Sequence, residues 1–197
     1  TPDYNAMADS LKSLSLLKGT GTGFGCGYDL EKQPTRIEAI VMFIRLLGEE
    51  NAAQSCTAKH PFTDVPGWAD RYVAYAYEKG YSNGAGGNQF ASARVITAKE
   101  YVEFVMRALR YSSTAHTDLS TTLGDAKTVG LLTAKEYDLL TSSALLRAHL
   151  VYISYYALST PVSGSSTALE QQLISQGIFS QSALNDAHAM VKTARLA

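Results

Sequence analysis

Four stretches of the chain share one local pattern, and this repetition limits the fold more than any other feature of the sequence. Each stretch has the apolar spacing of a helix, then a small residue, then apolar residues; the stretches are 11–17, 72–81, 123–132 and 169–179. A repeat of this kind indicates helical units that stack on one another, because a single unit cannot bury its apolar face alone.

A second type of helix follows the first three copies and is predicted to begin near Thr35, Thr97 and Leu146. In the first instance the apolar residues fall at positions i, i+3, i+4, i+7 and i+10, which places them on one helical face: Ile37, Ile40, Val41, Ile44 and Leu47. The period-two alternation of a strand is not sustained anywhere in the sequence. The sequence therefore predicts an all-α protein built from helix–loop–helix repeats.

The predicted domain organisation is three repeats within residues 1–159, at about 4–48, 61–111 and 118–159. A Ser-, Gly- and Pro-containing linker follows. Residues 160–197 are predicted to contribute this linker and two closing helices to the same domain, at 166–176 and 181–195.

The pentapeptide Thr-Ala-Lys-Glu-Tyr occurs twice, at 97–101 and at 133–137. Thr97 lies seventeen residues past Gly80, whereas Thr133 lies only three residues past Gly130. We therefore interpret Thr133 as the start of an extra helix and place the second helix of the third repeat near Leu146.

Composition argues against several classes of function. The 197 residues carry a net charge of −1 with a pI near 6.4, which favours no nucleic-acid partner. Apolar runs long enough to cross a bilayer are absent, so we expect no membrane insertion. Common motifs of hydrolases and P-loop enzymes are also absent, and the four histidines lack metal-ligand spacing. We therefore expect no catalytic residues, no cofactor and no metal site.

The helix start at Thr35 contains one residue that local stability does not explain. Thr35 and Glu38 form the pattern of a capping box. Arg36, in contrast, is a cation in the first turn, where it opposes the helix dipole. Its position indicates a nearby acidic group, which either the protein or an anionic ligand supplies.

The corresponding positions of the other repeats differ from this pattern. In the second repeat Ala98 replaces the arginine, and Lys99 follows about a hundred degrees around the helix. In the third repeat Arg147 is present, but Leu146 and His149 replace the capping residues, so we expect the capping box to be lost there.

The second repeat matches a longer pattern in one register, F-x-D-V, W-A, G-x-x-x-G, F and T-x-x-E. The matching residues are Phe62, Asp64, Val65, Trp68, Ala69, Gly80, Gly84, Phe90, Thr97 and Glu100. In these residues the chain resembles the S-layer homology family, whose last motif is T-R-A-E. The resemblance covers most of the chain unevenly, because the first repeat lacks F-x-D-V and the third is degenerate.

The resemblance implies a pseudo-threefold bundle that is secreted and located in the bacterial cell wall or S-layer. It implies anchoring without catalysis, through an anionic secondary cell-wall polysaccharide whose pyruvate ketals supply carboxylates. An arginine would clamp the carboxylate, while loop amides and an aromatic ring line the groove. The ligand-binding residues so implied are Arg36, Arg147, Asp64, Trp68, Gly84 and, as a poor substitute for the missing arginine, Lys99.

The residues themselves leave alternatives open. Asp64 also suits a turn or cap, and Trp68 also suits a core anchor. Because two of the three T-R-A-E motifs are altered, a protein-interaction or surface-assembly module that has lost glycan binding is the second hypothesis. An enzyme using Cys26 is a third. Cys26 and Cys56 permit one disulfide, although they flank a helix about 20 Å long.

Overall fold

The computed structural model of the chain describes residues 1–20 and 27–197. The described residues form ten α-helices and two short 3-10 turns, with isolated bridges but no strand, so the all-α prediction is confirmed. The helices are α1 (Tyr4–Ser13), α2 (Arg36–Leu46), α3 (Glu50–Gln54), α4 (Asp70–Glu78), α5 (Ala98–Ala108), α6 (Thr122–Thr128), α7 (Ala134–Ser142), α8 (Arg147–Ala157), α9 (Leu169–Ser175) and α10 (Gln181–Ala189). Among the helices of the described residues, none combines the length and apolar character that a membrane span requires.

Helices α2, α5 and α8 form the centre of the molecule, and each contacts the other two. Phe43 of α2 packs against Tyr101 and Phe104 of α5, with ring centroids 5.9 Å apart in both pairs. Tyr101 also hydrogen-bonds Ser154 of α8 at 2.6 Å between the two hydroxyl oxygens. One hydrophobic core therefore joins the second helices of all three predicted repeats.

The first helices of the predicted repeats surround this centre in cyclic order. Helix α4 packs on α2, α6 packs on α5, and α1 packs on α8. Each of these helices thus covers the second helix of the preceding repeat, and α1 closes the ring. The pseudo-threefold arrangement of repeats itself stays a prediction.

The sequence pattern that occurs four times is a helix C-terminus. Ser15, Gly80, Gly130 and Gly177 each have a positive φ. In every case the amide of the next residue donates to the carbonyl five positions earlier; the donors are Leu16, Tyr81, Leu131 and Ile178. A left-handed residue with such a bond caps the free carbonyls at a helix end, so one turn chemistry explains all four copies.

The second copy of the pentapeptide begins a helix of its own, as predicted. Thr133 accepts from the amide of Glu136 and caps α7, and Thr97 caps α5 in the same way through Glu100. It is α8, beginning at Arg147, that packs in the centre with α2 and α5. Interpreting Thr133 as an extra helix start is therefore confirmed.

The last predicted helix is too long. Helix α10 ends at Ala189 rather than at residue 195. After it, residues 190–197, which we call the closing segment, leave the helical path. Arg195 then reaches Glu136 of α7, with N–O distances of 2.7 and 2.9 Å. A tertiary ion pair therefore overrides local helical spacing at this end.

Candidate functional site

A pocket of about 390 Å³ lies where the start of α5, the loop 82–86 and the segment 117–119 meet. Its charged lining residues are Arg36, Arg94, Arg107, Glu100 and Glu103. Phe104 and Leu119 supply apolar surface in the same pocket. A concave site of this volume with a few converging polar groups is typical of small-ligand binding.

A second hollow adjoins this pocket and shares Arg94 and Glu100 with it. Lys99, Asp118 and Ser120 are among its other lining residues, and Lys99 is exposed to solvent. The two hollows form one surface feature, which we call the α5 groove. It brings together three of the residues predicted to bind ligand, Arg36, Gly84 and Lys99.

Glu100 is the electrostatic centre of the α5 groove. Its carboxylate accepts from Arg36 Nη1 at 2.8 Å and from the two Nη atoms of Arg94 at 2.9 and 2.7 Å. Burial alone would raise the pKa of Glu100, but the hydrogen bonds from Arg94 and the charge of Arg36 lower it to about 2. The acidic group that the position of Arg36 indicated is therefore supplied by the protein.

Arg36 is 3% exposed and holds two segments together. Its Nε donates to the carbonyl oxygen of Phe90 at 2.7 Å, and its guanidinium carbon lies 4.8 Å from the centroid of the Phe90 ring. Burial lowers the pKa of Arg36, and the charge of Glu100 opposes this shift. Arg36 thus forms a wall of the groove and fixes the chain around Phe90.

Asp64 does not line the groove, but it binds the chain segment that Arg36 contacts. Its carboxylate accepts from the amides of Phe90, Ala91 and Ser92 at 2.8, 2.7 and 3.2 Å. Burial would raise the pKa of Asp64, but these amides outweigh it and lower the pKa. The cap interpretation therefore fits Asp64, which holds the segment that Arg36 contacts.

Gly84 lines the groove at a point where a side chain has no room. Its φ is +89°, and a Cβ atom there would lie 2.3 Å from Cε1 of Phe62 and 2.9 Å from the carbonyl oxygen of Gln89. Both the backbone conformation and the close approach therefore require glycine.

We expect Gly84→Ala to destabilise the protein more than Gly86→Ala does. Gly86 also has a positive φ, +100°, but no atom lies within 4 Å of a Cβ placed there. Both variants bear the left-handed strain of about 1–2 kcal/mol, and only Gly84→Ala adds the clash with Phe62. Urea unfolding of the two variants gives the difference directly. Equal losses would show that Phe62 does not press on Gly84.

Trp68 lies elsewhere and is 63% exposed, so the core-anchor interpretation is wrong. It belongs to a 3-10 turn, Gly67–Ala69, and α4 begins only at Asp70. Within the helical stretch predicted at 72–81, Tyr72, Val73 and Ala76 are buried. Tyr77, in the same helix, is 40% exposed.

Arg147 occupies a second junction that resembles that of Arg36. Arg36 and Ile37 donate their amides to the carbonyls of Arg94 and Ser92, and Arg147 and Ala148 donate theirs to the carbonyls of Lys32 and Leu30. The side chains also match, since Arg147 Nε donates to the carbonyl of Tyr28 at 2.8 Å. Burial lowers the pKa of Arg147, and the charge of Glu38, 3.7 Å away, opposes this shift.

The capping box at this third helix start is half retained, which corrects the expectation that it is lost. Leu146 has no polar side-chain atom to offer. The amide of Leu146, however, donates to Nδ1 of His149 at 3.1 Å, so the imidazole takes over one function of the glutamate. Sequence rules that recognise only carboxylates and amides at this position do not detect it.

Each of the other three histidines has a ring nitrogen within hydrogen-bond distance of a carboxylate oxygen. His60 pairs with Asp70 at 2.6 Å, while His116 with Glu103 and His188 with Glu170 are each 3.0 Å apart. Within residues 1–20 and 27–197, no group of three or more His, Cys, Asp or Glu side chains could hold a metal ion. Cys26 lies outside the described residues, so the structure tests neither the third hypothesis, an enzyme using Cys26, nor the disulfide that Cys26 and Cys56 permit.

Sequence reasoning did not identify several residues of the groove, namely Arg94, Glu103, Arg107 and Leu119. The spacing of Glu103 and Arg107 is a signal for an i,i+4 ion pair, and their atoms are 2.9 Å apart. Arg94 and Leu119 carry no such local signal, because they reach the groove only through the tertiary fold.

The chain matches no protein-family model and no curated protein sequence. A functional assignment therefore depends on the residues of the groove and on their geometry.

The low pKa of Glu100 predicts how stability changes with acidity. Its ordinary value is 4.5, and the folded value is about 2. Because folding lowers the pKa, the ionised carboxylate stabilises the fold fully above pH 4.5, and this contribution is lost as the pH falls towards 2. We expect the stability deficit of Glu100→Gln, measured by urea unfolding, to be largest above pH 4.5 and to shrink on acidification. A deficit that is constant over this range would contradict the ion-pair geometry.

Proposed function

We propose that this chain is a member of the S-layer homology family, a secreted, non-catalytic module that anchors its protein to the bacterial cell wall or S-layer. Its ligand is an anionic secondary cell-wall polysaccharide, which we take to be pyruvylated, and its binding site is the α5 groove. The observation that carries the proposal is the meeting of Arg36, Gly84 and Lys99 in this one groove.

The proposal divides the basic residues of the groove into two roles. Arg36 uses Nε and Nη1 for internal partners and is 3% exposed, so it positions Phe90 and Glu100. Lys99 is exposed, and the side chain of Arg94 is 46% exposed. These two cations contact the ligand carboxylate. Arg94 does so while remaining paired with Glu100.

The charge of the groove suits a ligand with a single carboxylate. Its lining contains four basic side chains, Arg36, Arg94, Lys99 and Arg107, against three acidic ones, Glu100, Glu103 and Asp118. The difference is one positive charge. Phe104 and Leu119 offer apolar surface for the carbon face of a sugar ring. Arg147 marks a second, weaker site in this proposal, and two sites on one rigid scaffold raise retention by avidity.

Binding to purified cell wall tests the proposal, before and after mild acid removes the polysaccharide. We expect Lys99→Ala and Arg94→Ala, combined, to weaken binding by about 1.5–3 kcal/mol, the value of a charged hydrogen bond. Lys135→Ala is the matched control, because Lys135 has the same place in the identical pentapeptide and does not line the groove. If Lys135→Ala weakens binding as much as the combined variant does, the overall charge of the protein, and not the groove, determines binding.

A protein-interaction module remains the second candidate because of the exposed aromatic residues at α4. Trp68 is 63% and Tyr77 is 40% exposed. If surface proteins are the partners, acid treatment of the wall leaves binding unchanged and Trp68→Ala weakens it. If the polysaccharide is the ligand, acid treatment abolishes binding.

A further inference from the structure

One arginine of the closing segment contacts both α7 and α8. Arg195 donates to both carboxylate oxygens of Glu136, and one of its Nη atoms also donates to the carbonyl of Leu131 at 2.9 Å. Its guanidinium carbon lies 4.5 Å from the centroid of the Tyr156 ring. The side chain of Glu136 is 2% exposed and accepts a further hydrogen bond, of 2.6 Å, from the hydroxyl of Tyr152.

The backbone of Leu196, the residue after this arginine, is hydrogen-bonded at both its amide and its carbonyl. The amide of Leu196 donates to the hydroxyl oxygen of Tyr152 at 2.9 Å. The carbonyl of Leu196 accepts from the hydroxyl of Thr133 at 2.7 Å. The closing segment is therefore held as a bound peptide is held, by one anchoring side chain and by its main chain.

This site corresponds in the third repeat to part of the α5 groove. Leu131 follows Gly130 as Tyr81 follows Gly80, and Tyr156 lies ten residues past the N-cap of α8 as Arg107 lies ten past that of α5. In the groove, Arg107 donates to the carbonyl of Tyr81 at 3.2 Å. In the third repeat a tyrosine replaces this arginine, and Arg195 donates to the corresponding carbonyl.

We propose that Glu136, Tyr152, Tyr156 and the Leu131 carbonyl form a recognition site for an extended peptide that carries an arginine. The closing segment fills it within the chain, and the closing segment of a second copy can take its place. A bidentate carboxylate, a carbonyl acceptor and an aromatic face together select a planar guanidinium over an ammonium group. This site is independent of the proposed glycan binding.

A peptide with the sequence of residues 190–197 tests the proposal on the intact 197-residue chain. In the Arg195→Ala variant the chain's own arginine no longer competes, so we expect this peptide to bind at least about tenfold more tightly than to the wild type, as measured by fluorescence anisotropy. Peptides with alanine or lysine in place of the arginine should bind at least about tenfold more weakly. Adding Glu136→Gln to the variant should abolish binding. The protein variant Lys192→Ala, changed at an exposed position of the same segment, is the control and should bind the peptide as weakly as the wild type does.

A folded Arg195→Ala variant that fails to bind the arginine peptide, or that binds the alanine peptide equally well, overturns the proposal. Hydrogen exchange on the wild type gives a second test that needs no substitution. The amide of Leu196, bonded to Tyr152, should exchange faster when the arginine peptide is in excess and should be unaffected by the alanine peptide. An exchange rate that does not respond to the arginine peptide also overturns the proposal, whether or not the variant folds.

Discussion

Replacing Phe90 with alanine is expected to lower the free energy of unfolding by about 3–5 kcal/mol, the cost of removing a core aromatic side chain. Phe90 is fully buried. Its ring packs under the guanidinium of Arg36 and lies 5.8 Å from the ring of Phe62, measured between centroids. Its backbone is held by Asp64 and Arg36, so the surrounding chain has little freedom to collapse into the cavity.

Trp68→Ala is the control for this experiment, because it removes a larger aromatic side chain that is 63% exposed. Surface substitutions usually change stability by no more than about 0.5 kcal/mol. Urea unfolding of both variants, monitored by circular dichroism, measures the two losses on one scale. A loss below about 1 kcal/mol for Phe90→Ala would show that the second repeat does not pack as described.

Features that depend on a few neighbouring residues could be predicted from the sequence. A threonine and a glutamate three residues apart at a helix start form a capping box, and Thr97 and Glu100 do so in the structure. Gly80 and Gly130 end their helices because only a left-handed residue closes that turn readily. The spacing of the core residues on α2 and α5 follows from helical geometry in the same way.

Features that depend on distant segments could not be predicted. Glu100 is sixty-four residues from Arg36, and no local rule pairs them. The capping box explained Glu100 completely, so the sequence contained no reason to seek a second role for it. For Trp68 a local pattern misleads instead. Trp68 lies four residues before Tyr72 and so fits the apolar spacing of α4, but it belongs to the 3-10 turn before that helix and is exposed to solvent.

The Arg36→Ala variant is expected to lose about 3 kcal/mol of stability, near the lower end of the cost of breaking a buried ion pair. The substitution leaves the carbonyl of Phe90 without its Nε donor, while Glu100 keeps Arg94 as a partner. Arg94→Ala is the matched control, because it removes the other, half-exposed partner of the same carboxylate. A loss of at most about 1 kcal/mol is expected there.

A double-mutant cycle with Glu100→Gln separates this pair from the rest of the network. If Arg36 and Glu100 interact as the 2.8 Å distance indicates, the double variant should lose less than the sum of the single losses, by about 0.5–3 kcal/mol. Binding of the folded Arg36→Ala variant to cell wall should change less than that of the combined Arg94 and Lys99 variant. If Arg36→Ala instead keeps its stability and loses wall binding, Arg36 contacts the ligand directly. The carboxylate-binding role that we assign to Lys99 and Arg94 would then belong to Arg36.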